Sequence, residues 1–307
     1  MFKLFFVFLL FISTAYASEL KIIVPDQTAP TVNARIFSKY LSKYLNQKII
    51  ITEIPGASSM TAMQYLYGFA PKDGNTIGIF YKNAPLIARI NYPSINLEKI
   101  NWLGSTMDGR KDAVILFSWK NIDDELIVGT DNSIVGDPID FIINNTNIRI
   151  KKITGYRTPS DIRLAFQRKE IDTFINSVAG IKTVFPDWLS NKSGVKKLIQ
   201  FGNGQNRNLE FFYVPSLYEY ISDDNKQLLS IFESQYVLLR PYAAPPNIPE
   251  NRVKELREAF WLAANDPEYI KEARDRNIDV NPIDHIEAER IINKLINTPK
   301  ELLDRLH

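Results

Sequence analysis

Pro55-Gly-Ala-Ser-Ser59 places small side chains between an apolar run, Lys48 to Ile54, and a stretch with helical spacing. Where a strand hands over to a helix, small residues bare backbone N–H groups that have no partner inside the helix. Those donors and the positive end of the helix dipole suit an anion, with the dipole adding ~0.3–1 kcal/mol at an exposed site. Gly56, Ala57, Ser58 and Ser59 are therefore candidate ligand-binding residues. The competing role is stability, with Ser58 or Ser59 capping the helix for ~1 kcal/mol. The two roles are compatible.

Four other places carry usable chemistry. Thr28-Ala-Pro-Thr31 follows the first apolar run, so Thr28 and Thr31 can cap a helix or line an opposing loop. Lys82 and Asn83 follow a third β-rich run and can complete a pocket. Further on, Gly129-Thr-Asp-Asn-Ser133 and Gly136-Asp137 offer Thr130, Ser133 and Asp137 as ligand groups. A buried Asp there would accept from an ammonium or hydroxyl and repel a second carboxylate; Asp137 can equally cap a helix. Tyr156 and Ser177 end the next two strands and are candidates for the rim. Catalysis finds little footing: the histidines are His285 and the terminal His307, cysteine is absent, and no Ser/His/acid set or metal cluster assembles from them. The expectation is a binding protein without cofactor or metal.

The elements that must position these residues are legible from period. Leu20 to Val24, Lys48 to Ile54 and Asn75 to Phe80 read as strands, with Ile36, Phe37, Tyr40, Leu41, Tyr44 and Leu45 giving a helix between the first two. Strand, helix, strand, helix, strand predicts parallel pairing with right-handed crossovers. After Ala113 to Trp119 the alternation restarts: Leu126 to Gly129, a helix from about Pro138 to Asn144, Ile148 to Thr154, a helix opened by Thr158-Pro159, and Ile171 to Ile175. Asn247-Ile-Pro-Glu250 resembles a capping box, and Asp266-Pro267, Asp284 with Glu287, and Thr298-Pro299 mark further helix starts. The division that follows is 18–118 plus 236–307 for one domain and 119–235 for the other. In open α/β sheets ligands sit beyond the carboxyl ends of strands, and the candidate loops have that address.

Composition bounds the partner. Lys3, the apolar run Leu4 to Ile12 and Ala15-Tyr-Ala17 match a secretory signal with its cleavage site, so residues 1–17 are expected to be removed on export. Nine apolar residues cannot cross ~30 Å of hydrocarbon. The net charge of +2 comes without a basic run, which argues against nucleic acid. Without cysteine, the 307-residue chain is held by burial alone, and 45% hydrophobic residues suffice for that.

Several motifs resemble one bacterial solute-binding family in the same order. Pro55 to Ser59, Tyr65-Leu-Tyr67 and Ala70-Pro-Lys-Asp-Gly74 are similar to the PGAG…APKDG core of the periplasmic receptors of tripartite tricarboxylate transporters, the Bug receptors. Arg240-Pro-Tyr-Ala-Ala-Pro-Pro246, Asp266-Pro267 and Asn281-Pro282 resemble the family's closing segment. Thr154-Gly-Tyr156 and Asp161 to Ala165 resemble a stretch of its second domain. Thr28 to Thr31 stands where members carry a glycine-rich turn, and Ser58-Ser59 where they carry a second glycine pair. The resemblance implies a type II periplasmic-binding-protein fold, two α/β domains with a ligand cleft between them. It also implies a monomer that is exported to the periplasm, captures a small carboxylated molecule and delivers it to integral-membrane permease subunits. A periplasmic sensing subunit, or a hydrolase on the same scaffold, would read alike in sequence.

Overall fold

The computed structural model describes residues 19–25, 29–130, 137–156, 159–190, 192–202 and 211–306. Thr28, Ser133 and the cleavage region lie outside them. The strands of the described residues are β1 (Leu20–Val24), β2 (Ile49–Glu53), β3 (Thr76–Ile79), β4 (Asn101–Ser105), β5 (Val114–Ser118), β6 (Leu126–Gly129), β7 (Ile150–Ile153), β8 (Thr173–Ser177), β9 (Lys196–Phe201) and β10 (Pro241–Ala244). The helices are α1 (Ala29–Leu45), α2 (Met60–Gln64), α3 (Ala84–Asn91), α4 (Pro138–Asn145), α5 (Pro159–Gln167), α6 (Val178–Val184), α7 (Lys226–Ser234), α8 (Glu250–Ala264), α9 (Pro267–Asp275), α10 (His285–Ile296) and α11 (Lys300–Leu303).

These strands form two five-stranded sheets, ordered β2-β1-β3-β10-β4 and β7-β6-β8-β5-β9. In the first, β1 runs parallel to both neighbours, with Ile22 opposite Ile51 and Ile77. In the second, β6 runs parallel to β7 and β8. The expected parallel pairing is there. Each sheet also holds one antiparallel strand: β10, which returns from beyond the second sheet, lies between β3 and β4, and β5, the first strand of the second sheet, lies between β8 and β9.

The pairing of β5 departs from the division expected from sequence. Val114–Ser118 falls in the first unit of that division, yet it pairs with Thr173–Ser177 and with Lys196–Phe201 in the second sheet. The chain therefore leaves the first sheet between Ser105 and Val114, ahead of Trp119. Antiparallel pairing with strands some sixty and eighty residues later is what claims it, and period carries no trace of that.

Three apolar clusters hold the layers. On one face of the first sheet, Phe37 and Leu41 of α1 pack with Tyr242, Phe260 and Tyr269; Phe37 meets all three rings at 5.2–5.3 Å between centroids. A second cluster reaches from Met63, Phe80 and Trp102 to Leu116, Phe141 and Phe232, and so spans both sheets. The third covers the far face of the second sheet, with Phe166, Phe174 and Trp188. Asp266 caps α9 and Asp284 caps α10 through Glu268 N–H and Glu287 N–H, as the sequence predicts. The Asn247 capping box does not form. Asn247 has φ +60 and Pro249 stands at the cap of α8 without a side-chain bond.

Candidate functional site

PGASS lies just past the carboxyl end of β2, where the loop must turn sharply into α2. Gly56 has φ +124, and Ala57, Ser58 and Ser59 follow at +46, +51 and +67. Three successive non-glycine residues in left-handed backbone cost roughly 1–2 kcal/mol each. A buried anchor over-determines the turn: Ser59 is 1% exposed, and its Oγ accepts the Tyr81 N–H at 3.1 Å. Ser59 makes no side-chain cap to α2, so the capping role the sequence allows it is not used. Gly56, Ala57 and Pro55 stay exposed. Among the described residues, no hydrogen bond occupies the N–H of Gly56 or Ala57.

Tyr81 opens the loop after β3, and the next two residues are Lys82 and Asn83. Asn83 stands at the cap of α3 in helical backbone with no side-chain cap bond. The Lys82 ammonium sits 3.6 Å from the centroid of the Tyr236 ring. Burial pushes its pKa down to about 7, while the negative Asp112 pulls the other way. Thr31 falls in the first turn of α1 and is buried.

From the second sheet come the caps of α4 and α6. Asp137 Oδ1 accepts Ile139 N–H at 2.8 Å, the capping role foreseen as its alternative. Its Oδ2 lies 3.5 Å from the Thr130 hydroxyl and 3.9 Å from Lys152 Nζ. Ser177 caps α6 by accepting Gly180 N–H at 3.0 Å, and its hydroxyl bonds Asp112. Burial raises the Asp112 carboxyl, opposed by N–H groups of Ala179 and Ala113 at 3.1 and 2.8 Å. Tyr156 packs its ring over Gly129, where an added Cβ would come within 2.8 Å of Cε2.

Tyr236 links the two sides. Burial, then Asp137 and Glu233, raise its phenol pKa, and its ring carries Lys82. The structure thus gathers Lys82, Tyr236, Asp112 with Ser177, and Asp137 with Thr130, and joins PGASS to this group through Tyr81. Among the described residues, Tyr156 makes no polar contact with it. Sequence reasoning missed Tyr236 and Asp112. Neither belongs to a motif, and each acts through partners distant in sequence.

Arg240 precedes β10, and its backbone N–H donates to Ser105 Oγ at 3.3 Å. Its Nη1 is sealed from solvent without a partner, and burial lowers its pKa. Nearby, Asn33 Oδ1 accepts from Thr106 and Tyr242, while Asn33 Nδ2 donates to Tyr269 Oη. No group of three or more His, Cys, Asp or Glu side chains suited to a metal occurs among the described residues.

No family model matches the sequence, and no curated protein matches it. Solved structures do. A TctC solute-binding protein from Polaromonas matches at TM-score 0.67 and 16% identity, over 95% of this chain and 100% of that one. MatC from Rhodopseudomonas palustris, solved with bound malate, matches at 0.64 and 15%, over 94% and 99%. The periplasmic binding protein BugD matches at 0.64 and 14%, over 94% and 97%. Two five-stranded sheets of one plan, the first completed by a strand that returns from beyond the second, with helix caps and the PGASS turn gathered at strand ends, give this chain the type II fold of the periplasmic solute-binding proteins.

Proposed function

We propose that this protein is an extracytoplasmic solute receptor of the tripartite tricarboxylate, or Bug, type. It takes a small carboxylated molecule between its two sheets and hands it to membrane permease subunits. One observation carries the reading: the strained, exposed PGASS backbone is held open by the Ser59–Tyr81 bond at a strand end, without a cap on its N–H groups. Such strain gathers at ligand sites, where geometry is fixed in advance. The likeness to MatC, solved with malate, supports an organic acid as the class of ligand.

In this reading Gly56, Ala57 and Ser58 supply donors from the first sheet, joined by Thr28, Thr31, Ser59 and Asn83. Thr130, Asp137, Tyr156 and Ser177 supply groups from the second, and Ser133 keeps the ligand role that the sequence offers it. The halves close by rotation about the two places where the chain passes between the sheets, the first at 106–113, a hinge motion that a few residues at element ends absorb. Export to the periplasm follows cleavage after Ala17, and no helix of the described residues is long and apolar enough to cross a membrane.

A thermal-shift screen over organic acids, amino acids and aromatic acids tests the reading, because a ligand of the folded state raises its melting temperature. Stabilisation by organic acids, with a compacted scattering profile, supports it. No shift with any organic acid, or turnover of one, overturns it.

A further inference from the structure

We propose that Lys82 is the residue that selects a carboxylate in this cleft: its ammonium, now resting on the Tyr236 ring, leaves that face to pair with the ligand. The assignment rests on the receptor reading above and deepens it by naming the charge that sets ligand class.

Position comes first. Lys82 follows Tyr81, whose N–H is tied to Ser59 of the PGASS turn, so its loop moves with the candidate anion cradle. Asn83, next in line, has an uncommitted side chain at the start of α3. Across the cleft, Ser177 opens α6 beside Asp112.

Chemistry comes second. Among the described residues the Lys82 ammonium has no ion pair within 4.0 Å and no hydrogen-bond acceptor; the Tyr236 ring centroid lies 3.6 Å from Nζ. A ring quadrupole holds a cation more weakly than a carboxylate that accepts charge-assisted hydrogen bonds. The groups packed around the lysine leave the position open. Pro85 and Leu86 of α3, Leu238, and Ile291, Ile292 and Leu295 of α10 offer only apolar surface, and Ser234 and Gln235 are uncharged. Asp112 faces it, but that carboxylate is engaged with Ala113, Ala179 and Ser177. Glu233 and Asp137 bear on Tyr236, with Glu233 accepting Gly202 N–H and Asp137 capping α4. A ligand carboxylate is the missing partner.

The state of the amine gives a readout that a merely structural lysine would not move. Burial holds Lys82 near pH 7, so part of it is neutral at pH 7.5. An arriving carboxylate favours the charged form, and the amine takes up a proton as the ligand binds. The probe is L-malate, alongside succinate and the uncharged succinamide, titrated by calorimetry at pH 7.5 in buffers of different ionisation enthalpy. The exported protein should bind a dicarboxylate with proton uptake and ignore the diamide. Lys82→Met should bind at least tenfold more weakly and without uptake. Lys82→Arg should keep affinity within about fivefold and also lose the uptake, because a guanidinium stays charged. Should Lys82→Met fail to fold, the arginine variant decides alone. Wild-type binding with Lys82→Met affinity unchanged, or Lys82→Arg uptake unchanged, overturns the assignment while sparing the receptor. Binding of neither dicarboxylate by the parent overturns the assignment, and the receptor reading falls with it only where no organic acid binds.

Discussion

Ser59 Oγ accepts the backbone N–H of Tyr81 at 3.1 Å, and that one bond fastens the turn after β2 to the loop after β3. It holds Ala57, Ser58 and Ser59 in left-handed backbone. Ser59→Ala should therefore lose about 1 kcal/mol of stability, and ligand affinity should fall with it because the turn loosens. Ser58→Ala, at a half-buried position, should change stability by less than about 0.5 kcal/mol. Urea unfolding of the two variants checks the contrast; equal stability in both would remove the anchor role of Ser59.

Gly56→Val tests the turn itself. At φ +124 a β-branched residue is strained, and its Cβ would stand 2.8 Å from Thr61 Oγ1. Thr61 can swing aside, so the dihedral decides the outcome. Affinity for the best organic acid should fall about tenfold or more in the folded variant, since ~1–2 kcal/mol of strain must be relieved by moving the loop. Calorimetry that finds parental affinity would end the anion-cradle reading of PGASS.

Asp137 separates a cap from a charge. Asp137→Asn keeps an acceptor for Ile139 N–H and should cost under about 0.5 kcal/mol, whereas Asp137→Ala should cost about 1 kcal/mol. Thermal unfolding in parallel measures both. Equal losses would mean that the contact with Thr130 and Lys152, rather than the cap, matters most.

Glu287 should govern part of the acid limb of stability. Hydrogen bonds from Arg290, and then from Arg110, hold its carboxyl down to about 2, against 4.5 for the free group. A depressed acid contributes fully above the unfolded pKa, and the contribution is lost as pH falls from about 4.5 through about 2. Glu287→Gln should flatten the stability profile in that window and leave its slope near pH 7 unchanged. Since Arg110 Nη1 meets Glu287 Oε1 at 2.7 Å, the same variant also frees the first crossing from α10.

How legible this was in the sequence differs by element. The alternation of β1, α1, β2 and β3 follows from apolar runs and helical spacing, and Asp266 and Asp284 announce their helices. β10 does not read as a strand: Pro241-Tyr-Ala-Ala244 has little β preference and is extended because β3 and β4 flank it. Pro241 takes the first strand position, where its carbonyl accepts Phe80 N–H and no donor is missed. β4 and β9 were likewise unmarked. For the site, PGASS stood out because small residues at such a junction have few other uses. Its anchor did not, because Ser59 and Tyr81 are 22 residues apart, and Lys82 reaches Tyr236 only through the folded chain.

The late return of β10 also sets an order of assembly. β4 joins the first sheet only through β10, so Trp102 and Leu103 have no strand beside them until residue 241 has been made and delivered. Long-range pairings of this kind are closed late and slowly, because loop entropy is paid before the contact rewards it. A chain whose first sheet cannot be finished until residue 241 stays unfinished through most of its synthesis, and a chain in that condition is a threadable one.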